Sequence, residues 1–152
     1  EVVEVFARGA VMIDSRIGEQ GDVDTAVVIL TFEGGTIAVI DNSRKAAYGY
    51  DQRVEVFGSK GCTHAENNRL TNTVLQTETG VQTDKPLYFF LERYKEAFRA
   101  EMAAFFSAIT SDQPSPVNGY DGLMPVLIGL AAKQSIVENR PIRLDKVNRA
   151  SS

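Results

Sequence analysis

The chain reads as an α+β domain, an open, mainly antiparallel β-sheet with helices packed on one face. Three observations predict it. Apolar and polar residues alternate with period two up to about residue 83, the period changes to about 3.6 after Pro86, and strands and helices are nowhere interleaved as βαβ units. Strand-rich sequence followed by helix-rich sequence leaves the sheet antiparallel, and two helices can cover only one of its faces.

The elements follow in order. Residues 1–13 are valine-rich and strand-like, and residues 16–22, with Gly18 and Gly21, read as a polar loop or hairpin end. Residues 24–32 place Thr25, Val27, Ile29 and Thr31 on one face and Ala26, Val28, Leu30 and Phe32 on the other. Glu33-Gly34-Gly35 is a tight-turn signal that folds this strand back onto residues 36–40. Residues 53–58 form the next strand, Gly58 to Gly61 turn, and residues 68–77 and 81–83 pair as a Thr- and Asn-rich hairpin through Thr79-Gly80. Beyond Pro86, Phe90, Tyr94, Phe98, Met102, Phe105 and Ile109 make one apolar stripe on a continuous helix of five to six turns, roughly one turn per 3.6 residues. Glu92 with Lys95 and Glu96 with Arg99 form i,i+3 pairs on its opposite side. Pro114 and Pro116 end that helix. Asp121 is then the expected N-cap of a second one, with Pro125 in its first turn and a stripe through Leu123, Val126, Leu127, Leu130 and Val137.

Composition bounds the function. At 152 residues the chain makes one domain, 1–152, with a single core. A net charge of -4 disfavours nucleic acid or an anionic membrane as partner, and no run of about 18 apolar residues offers a membrane span. One cysteine excludes an internal disulfide framework, no Asn-x-Ser/Thr sequon occurs, and a reducing cytoplasm is the expected location. Opening directly in strand-like alternation without methionine, the sequence reads as a piece of a longer protein.

Residues 40–61, IDNSRKAAYGYDQRVEVFGSKG, are chemically the densest stretch. Asn42, Arg44, Lys45, Tyr48, Tyr50, Asp51 and Gln52 crowd hydroxyl, amide and charged groups between two apolar strands. A turn needs only a few Gly, Asn, Asp or Ser residues, so two tyrosines flanking Gly49 exceed that demand and suggest part of a site.

This stretch, with FFLERYKEAF at residues 89–98 and NGYDGLMPVLIGLAA at residues 118–132, resembles the C-terminal half of the Gfo/Idh/MocA family of nicotinamide-dependent sugar dehydrogenases. YGYDQRVEVFGSKG is the specific part and points to the inositol branch; the helical matches mark the wider family. Order and spacing agree from about residue 24 to residue 143. The resemblance implies NAD as cofactor, held by an N-terminal dinucleotide-binding domain that this sequence lacks. It implies that a lysine and an Asp-His pair, also upstream, move the hydroxyl proton as hydride passes to the nicotinamide. It implies that Tyr50 contacts a cyclitol or sugar hydroxyl. Because two helices shield one sheet face while residues 24–32 and 36–40 are apolar on both, copies of the chain are expected to assemble as a dimer or tetramer through the open sheet face.

Each candidate has a plainer reading beside it. Tyr50 also fits a strand-end tyrosine that packs its ring and wets its hydroxyl. Asn42, Arg44 and Tyr48 fit surface or interface positions. Cys62 and His64 share a strand face, yet two ligands do not complete a zinc site. Lys85-Pro86 imitates the family's Glu-Lys-Pro motif, but Asp84 precedes it and the preceding run is polar, so it reads as a solvated strand-to-helix connection. No G-x-G-x-x-G or phosphate-loop spacing occurs. No metal site is expected, no catalytic or cofactor-binding residue is expected in this chain, and Tyr50 is the expected substrate contact. Two other functions stay open: a non-enzymatic, sugar-responsive regulator built on the same architecture, and a free-standing binding or assembly domain.

Overall fold

The computed structural model describes residues 1–146, which fall into two compact units, Glu1–Lys45 together with the chain from Val117, and Ala46–Pro116. In the first unit, β1 (Val2–Ala10), β2 (Thr25–Phe32), β3 (Ile37–Ser43) and β8 (Ile142–Arg143) form a four-stranded sheet in the order β3-β2-β1-β8. Every ladder in it is antiparallel. Alternation decides which side chains face inward. Val28 and Leu30 on β2 are buried and their neighbours Val27 and Ile29 are exposed, as the sequence pattern predicts. Val5 pairs with both Leu30 and Ile142, which lays three buried residues across the sheet.

α4 (Gly119–Glu138) closes this core, placing Leu127 and Ala131 against Val5, Ala7, Val28, Leu30 and Ile142. The expected stripe is corrected here: Val126, Leu130 and Val137 are exposed, whereas Leu127, Ala131 and Ser135, each four apart, are buried. The helix is apolar nearly all round, so periodicity alone does not choose its inner face. Small side chains do, because Ala131 and Ser135 let the helix axis approach the strands closely. The buried Ser135 hydroxyl accepts from the Ala7 backbone N–H at 3.0 Å and donates to the Arg140 carbonyl at 2.7 Å, joining β1, α4 and the chain beyond it.

Asn118, not Asp121, is the N-cap of α4: its side chain accepts from the backbone of Tyr120 and Asp121, and the Asp121 carboxylate returns a bond to the Asn118 N–H. Pro125 consequently lies beyond the first turn, inside the helix. Asn139 ends it in the left-handed region at φ 54°.

The segment expected as a polar loop contains a short helix, α1 (Ser15–Glu19), capped by Asp14. Asp24, almost fully buried, anchors it. Its carboxylate accepts from the backbone of Met12, Ile13 and Asp14 at 2.8–2.9 Å and from the Thr25 hydroxyl at 3.0 Å. Burial raises its pKa, but these four donors outweigh that and hold it at about 2.

The second unit holds two antiparallel hairpins, β4 (Val54–Gly58) with β5 (Gly61–Ala65) and β6 (Val74–Thr77) with β7 (Gly80–Thr83). Their ladders are separate from those of the four-stranded sheet, so the single open sheet expected from the sequence is found as one sheet of four strands and two ribbons. Residues 68–73, expected in strand, form an isolated bridge at Arg69 with Pro86, where the Asn68 carbonyl accepts from the Leu87 N–H, and bond through Thr71 to the Asp84 carboxylate. The single long helix is also corrected. It is broken at Tyr94 (φ -103°, ψ 7°) into α2 (Phe90–Arg93) and α3 (Lys95–Thr110). The apolar residues of α3 stay about half exposed, with Ala108 the one buried residue of the helix. Among the described residues no helix is long and apolar enough to cross a membrane.

Candidate functional site

The loop of residues 48–53 is the most heavily bonded part of the second unit. It begins at Gly49, whose φ of 146° lies where side chains are rarely accommodated. A Cβ there would sit 2.8 Å from the Pro86 carbonyl oxygen and 3.2 Å from that of Leu87, so only glycine permits this approach. The approach is then fastened on both sides, because the Tyr50 N–H donates to the Leu87 carbonyl at 2.9 Å and the Leu87 N–H to that of Asn68 at 3.0 Å.

Asp51 is the polar centre. Arg53 donates through Nε to Oδ1 at 2.8 Å and through Nη2 to Oδ2 at 3.0 Å, a two-point clamp that matches guanidinium to carboxylate geometry. The Tyr48 hydroxyl donates to Oδ2 and the Asn67 amide to Oδ1. Together, Arg53 first, then Tyr48 and Asn67, they hold the carboxyl well below its usual range. Asn67 is two-handed: its side-chain oxygen also accepts from the Gln52 N–H at 2.8 Å.

Tyr50 is half-buried. Its ring meets the Tyr94 ring edge-on, with centroids 5.6 Å apart and planes at 81°, and Tyr94 in turn meets Phe98 at 6.1 Å. The Tyr94 hydroxyl donates to Gln52 Oε1, and the Arg93 guanidinium lies 5.7 Å from the Tyr94 centroid. Burial first, and then hydrogen bonding with Tyr50, raises the Tyr94 phenol above its ordinary pKa. An open polar groove of about 1290 Å³ runs past Tyr48, Arg53, Asn67, Lys85 and Arg93. Tyr50 is not among its walls, so groove and tyrosine are separate features.

The other sequence candidates are dispersed. Asn42 pairs with Ala26 at the end of β3, and the Arg44 N–H donates to the Asp24 carbonyl, which puts both in the first unit. Cys62 and His64 are exposed on β5, opposite Phe57 and Glu55. Lys85-Pro86 connects β7 to α2, with Lys85 exposed. Asn67 and the polar role of Tyr94 escape sequence reasoning. Asn67 is fifteen residues from its nearest bonding partner, and Tyr94 looks like one more member of an apolar stripe.

The chain as a whole has close relatives. The profile of the oxidoreductase family's C-terminal alpha/beta domain, Gfo/Idh/MocA, matches residues 2–144. Myo-inositol 2-dehydrogenase of Thermotoga maritima is 52% identical over 147 residues, covering 97% of this chain and 44% of that protein. Inositol 2-dehydrogenase of Rhizobium meliloti is 44% identical over 145 residues, covering 95% and 44%. The crystal structure of a probable dehydrogenase from Thermotoga maritima superposes with a TM-score of 0.94 at 52% identity, again over 97% of this chain and 44% of that one. The chain thus spans less than half the length of the relatives it matches. With an antiparallel sheet closed by α4 and a match running nearly end to end, it belongs to the Gfo/Idh/MocA oxidoreductase family, as that family's C-terminal α/β domain.

Proposed function

We propose that residues 1–152 act as the substrate and oligomerisation domain of a cytoplasmic NAD-dependent dehydrogenase that oxidises myo-inositol or a related cyclitol to the ketone. The observation that carries this reading is the 52% identity, across 97% of the chain, to a relative named for that reaction. In it, Tyr50 forms part of the polyol pocket. Its phenol is half-buried and braced by Tyr94, and its backbone is pinned to Leu87, so the hydroxyl is offered from a fixed ring.

The residues present do not fit a dinucleotide. Every ladder among the described residues is antiparallel, and the sequence has no glycine-rich turn joining a parallel strand to a helix. NAD therefore belongs to protein outside these residues, together with the groups that move the hydroxyl proton. Assembly uses the sheet face opposite α4, where the register sets Phe6, Ile29 and Val39 side by side with Val27 and Ile37 beside them. A contiguous apolar surface of this kind is suited to a self-complementary two-fold contact.

The test is the full-length protein with NAD and a panel of cyclitols, following NADH formation. Turnover of myo-inositol or a stereoisomer supports the reading, and none with any cyclitol overturns it. Calorimetric titration of the 152-residue chain with NAD is expected to give no saturable binding.

A further inference from the structure

The backbone of Tyr50 is held on both sides, and both holds lead to the same dipeptide. On the N-terminal side the Tyr50 N–H donates to the Leu87 carbonyl at 2.9 Å, and the Leu87 N–H donates to the Asn68 carbonyl at 3.0 Å. On the C-terminal side the Gln52 N–H donates to Asn67 Oδ1 at 2.8 Å, and Asn67 Nδ2 donates to Asp51 Oδ1 at 2.5 Å. The first hold needs only a main-chain carbonyl at position 68, which any residue supplies. The second needs a particular side chain. A backbone N–H only donates and an ionised carboxylate only accepts, so the group between Gln52 and Asp51 must accept at one end and donate at the other. A short carboxamide does both, and these two partners also fix which end of it is oxygen.

The position of Asn67 in the hairpin explains why a side chain is used. The ladder of β4 and β5 ends where Val54 pairs with Ala65. Extended by two residues, that register sets Gln52 opposite Asn67, and there the Asn67 side chain takes the N–H that a further ladder bond would have taken. The loop is thereby released from the ribbon yet still tied to it, and the Tyr50 N–H is free to turn to Leu87. Little else holds it, since Ala108 is the one buried residue among the described residues of this unit. We infer that Asn67 is a positioning residue for the cyclitol, fixing the chain just after Tyr50 and so setting where the phenol stands in the polyol pocket. This rests on Tyr50 being a substrate contact. Were Asn67 only a fastener for the hairpin end, its loss would lower stability and leave substrate binding untouched.

The experiment combines thermal melts with the kinetics of NAD-dependent myo-inositol oxidation by the full-length protein, for Tyr50→Phe, Asn67→Asp, Asn67→Ala and the Tyr50→Phe/Asn67→Asp double variant. Asn67→Asp keeps the shape and the acceptor toward Gln52 but sets a second carboxylate against Asp51; Asn67→Ala removes both bonds. Each should raise the KM for myo-inositol about three- to tenfold, with kcat and the KM for NAD within about twofold. Asn67→Asp should raise KM less in the Tyr50→Phe background than in wild type, because the hydroxyl it positions is gone. An unchanged myo-inositol KM in both Asn67 variants, whatever their melting temperatures, overturns the inference, and so does a double variant in which the two losses multiply. In either case a KM defect in Tyr50→Phe preserves the pocket. A silent Tyr50→Phe overturns both.

Discussion

The two units of this chain are held together by different forces. In the sheet unit seven apolar residues are buried in one cluster, from Val5 and Ala7 on β1 to Leu127 and Ala131 on α4. In the unit of residues 46–116 Ala108 alone is buried among the described residues, and the loop that carries Tyr50 is fixed by hydrogen bonds, an ion pair and edge-on rings. Apolar burial is non-directional and tolerant of detail, whereas hydrogen bonds fix angles. The difference separates a scaffold, where stability resides, from a region where side-chain orientation is set. Substitutions should therefore behave differently in the two.

Truncating the core tests the scaffold and has the largest expected effect. Leu30 is 6% exposed at the centre of the sheet, and Leu30→Ala should cost about 2–5 kcal/mol through lost transfer energy and the cavity left behind. Val56 on β4 is 59% exposed, and Val56→Ala should stay within about 0.5 kcal/mol. Chemical denaturation of both variants measures the contrast. Equal losses would mean that the ribbons contribute to the stabilising core as much as the sheet does.

The outer face of the same sheet tests whether it is a surface or an interface. Ile29, central on that face between Phe6 and Val39, becomes an unpaired cation in Ile29→Lys. If two copies meet there, light scattering after size exclusion at low micromolar concentration should show an oligomer for wild type and a monomer for the variant. A monomeric wild type, or an oligomer that survives the charge, would assign this face to solvent.

In the second unit the sharper probe is functional. Tyr50→Phe in the full-length protein should lower kcat/KM for myo-inositol by about 1–3 kcal/mol, the size of one buried hydrogen bond, and leave the melting temperature nearly unchanged because the ring is kept. A drop in stability without a kinetic defect would make Tyr50 a structural residue.

How far the sequence reveals all this follows the same division. β1 to β3 are legible because one buried face imposes alternation, and the tight turn at Gly34 and Gly35, both with positive φ, is marked by residue type. α4 is legible as a helix but not in orientation, since Val126, Leu130 and Val137 are as apolar as the residues it buries. The site is only half legible. Tyr48, Tyr50 and Asp51 are conspicuous together, but Asn67 is held by a long-range bond, and the break at Tyr94 comes from tertiary contacts that leave no local signature. Asp24 hides for another reason: three of its four donors are backbone N–H groups, which any residue supplies.

Acid provides the finest distinction between the units, because the most strongly depressed carboxylate of each, Asp24 in the sheet unit and Asp51 in the other, is held by different donors. Asp24 has a folded pKa of about 2 against an ordinary value of 3.8, so its charge stabilises the fold fully above about pH 4 and progressively less as pH falls toward 2. Asp51 is depressed in the same direction, chiefly by Arg53, and loses its contribution over an acid range that starts at the same ordinary value. Salt should separate them. The donors of Asp24 are dipoles fixed in a nearly buried loop, whereas the guanidinium partner of Asp51 is 57% exposed and open to screening. Thermal melts from pH 6 to pH 2, at low salt and in about 1 M NaCl, where the screening length falls to roughly 3 Å, resolve the two. Asp24→Asn should flatten the acid limb at both salt concentrations, since an amide cannot accept from all four donors. Asp51→Asn should flatten it at low salt and change little at high salt. An acid limb that both substitutions leave at its wild-type slope would show that neither carboxylate governs acid stability, and a salt-sensitive Asp24 would place its loop in solvent instead of in the scaffold.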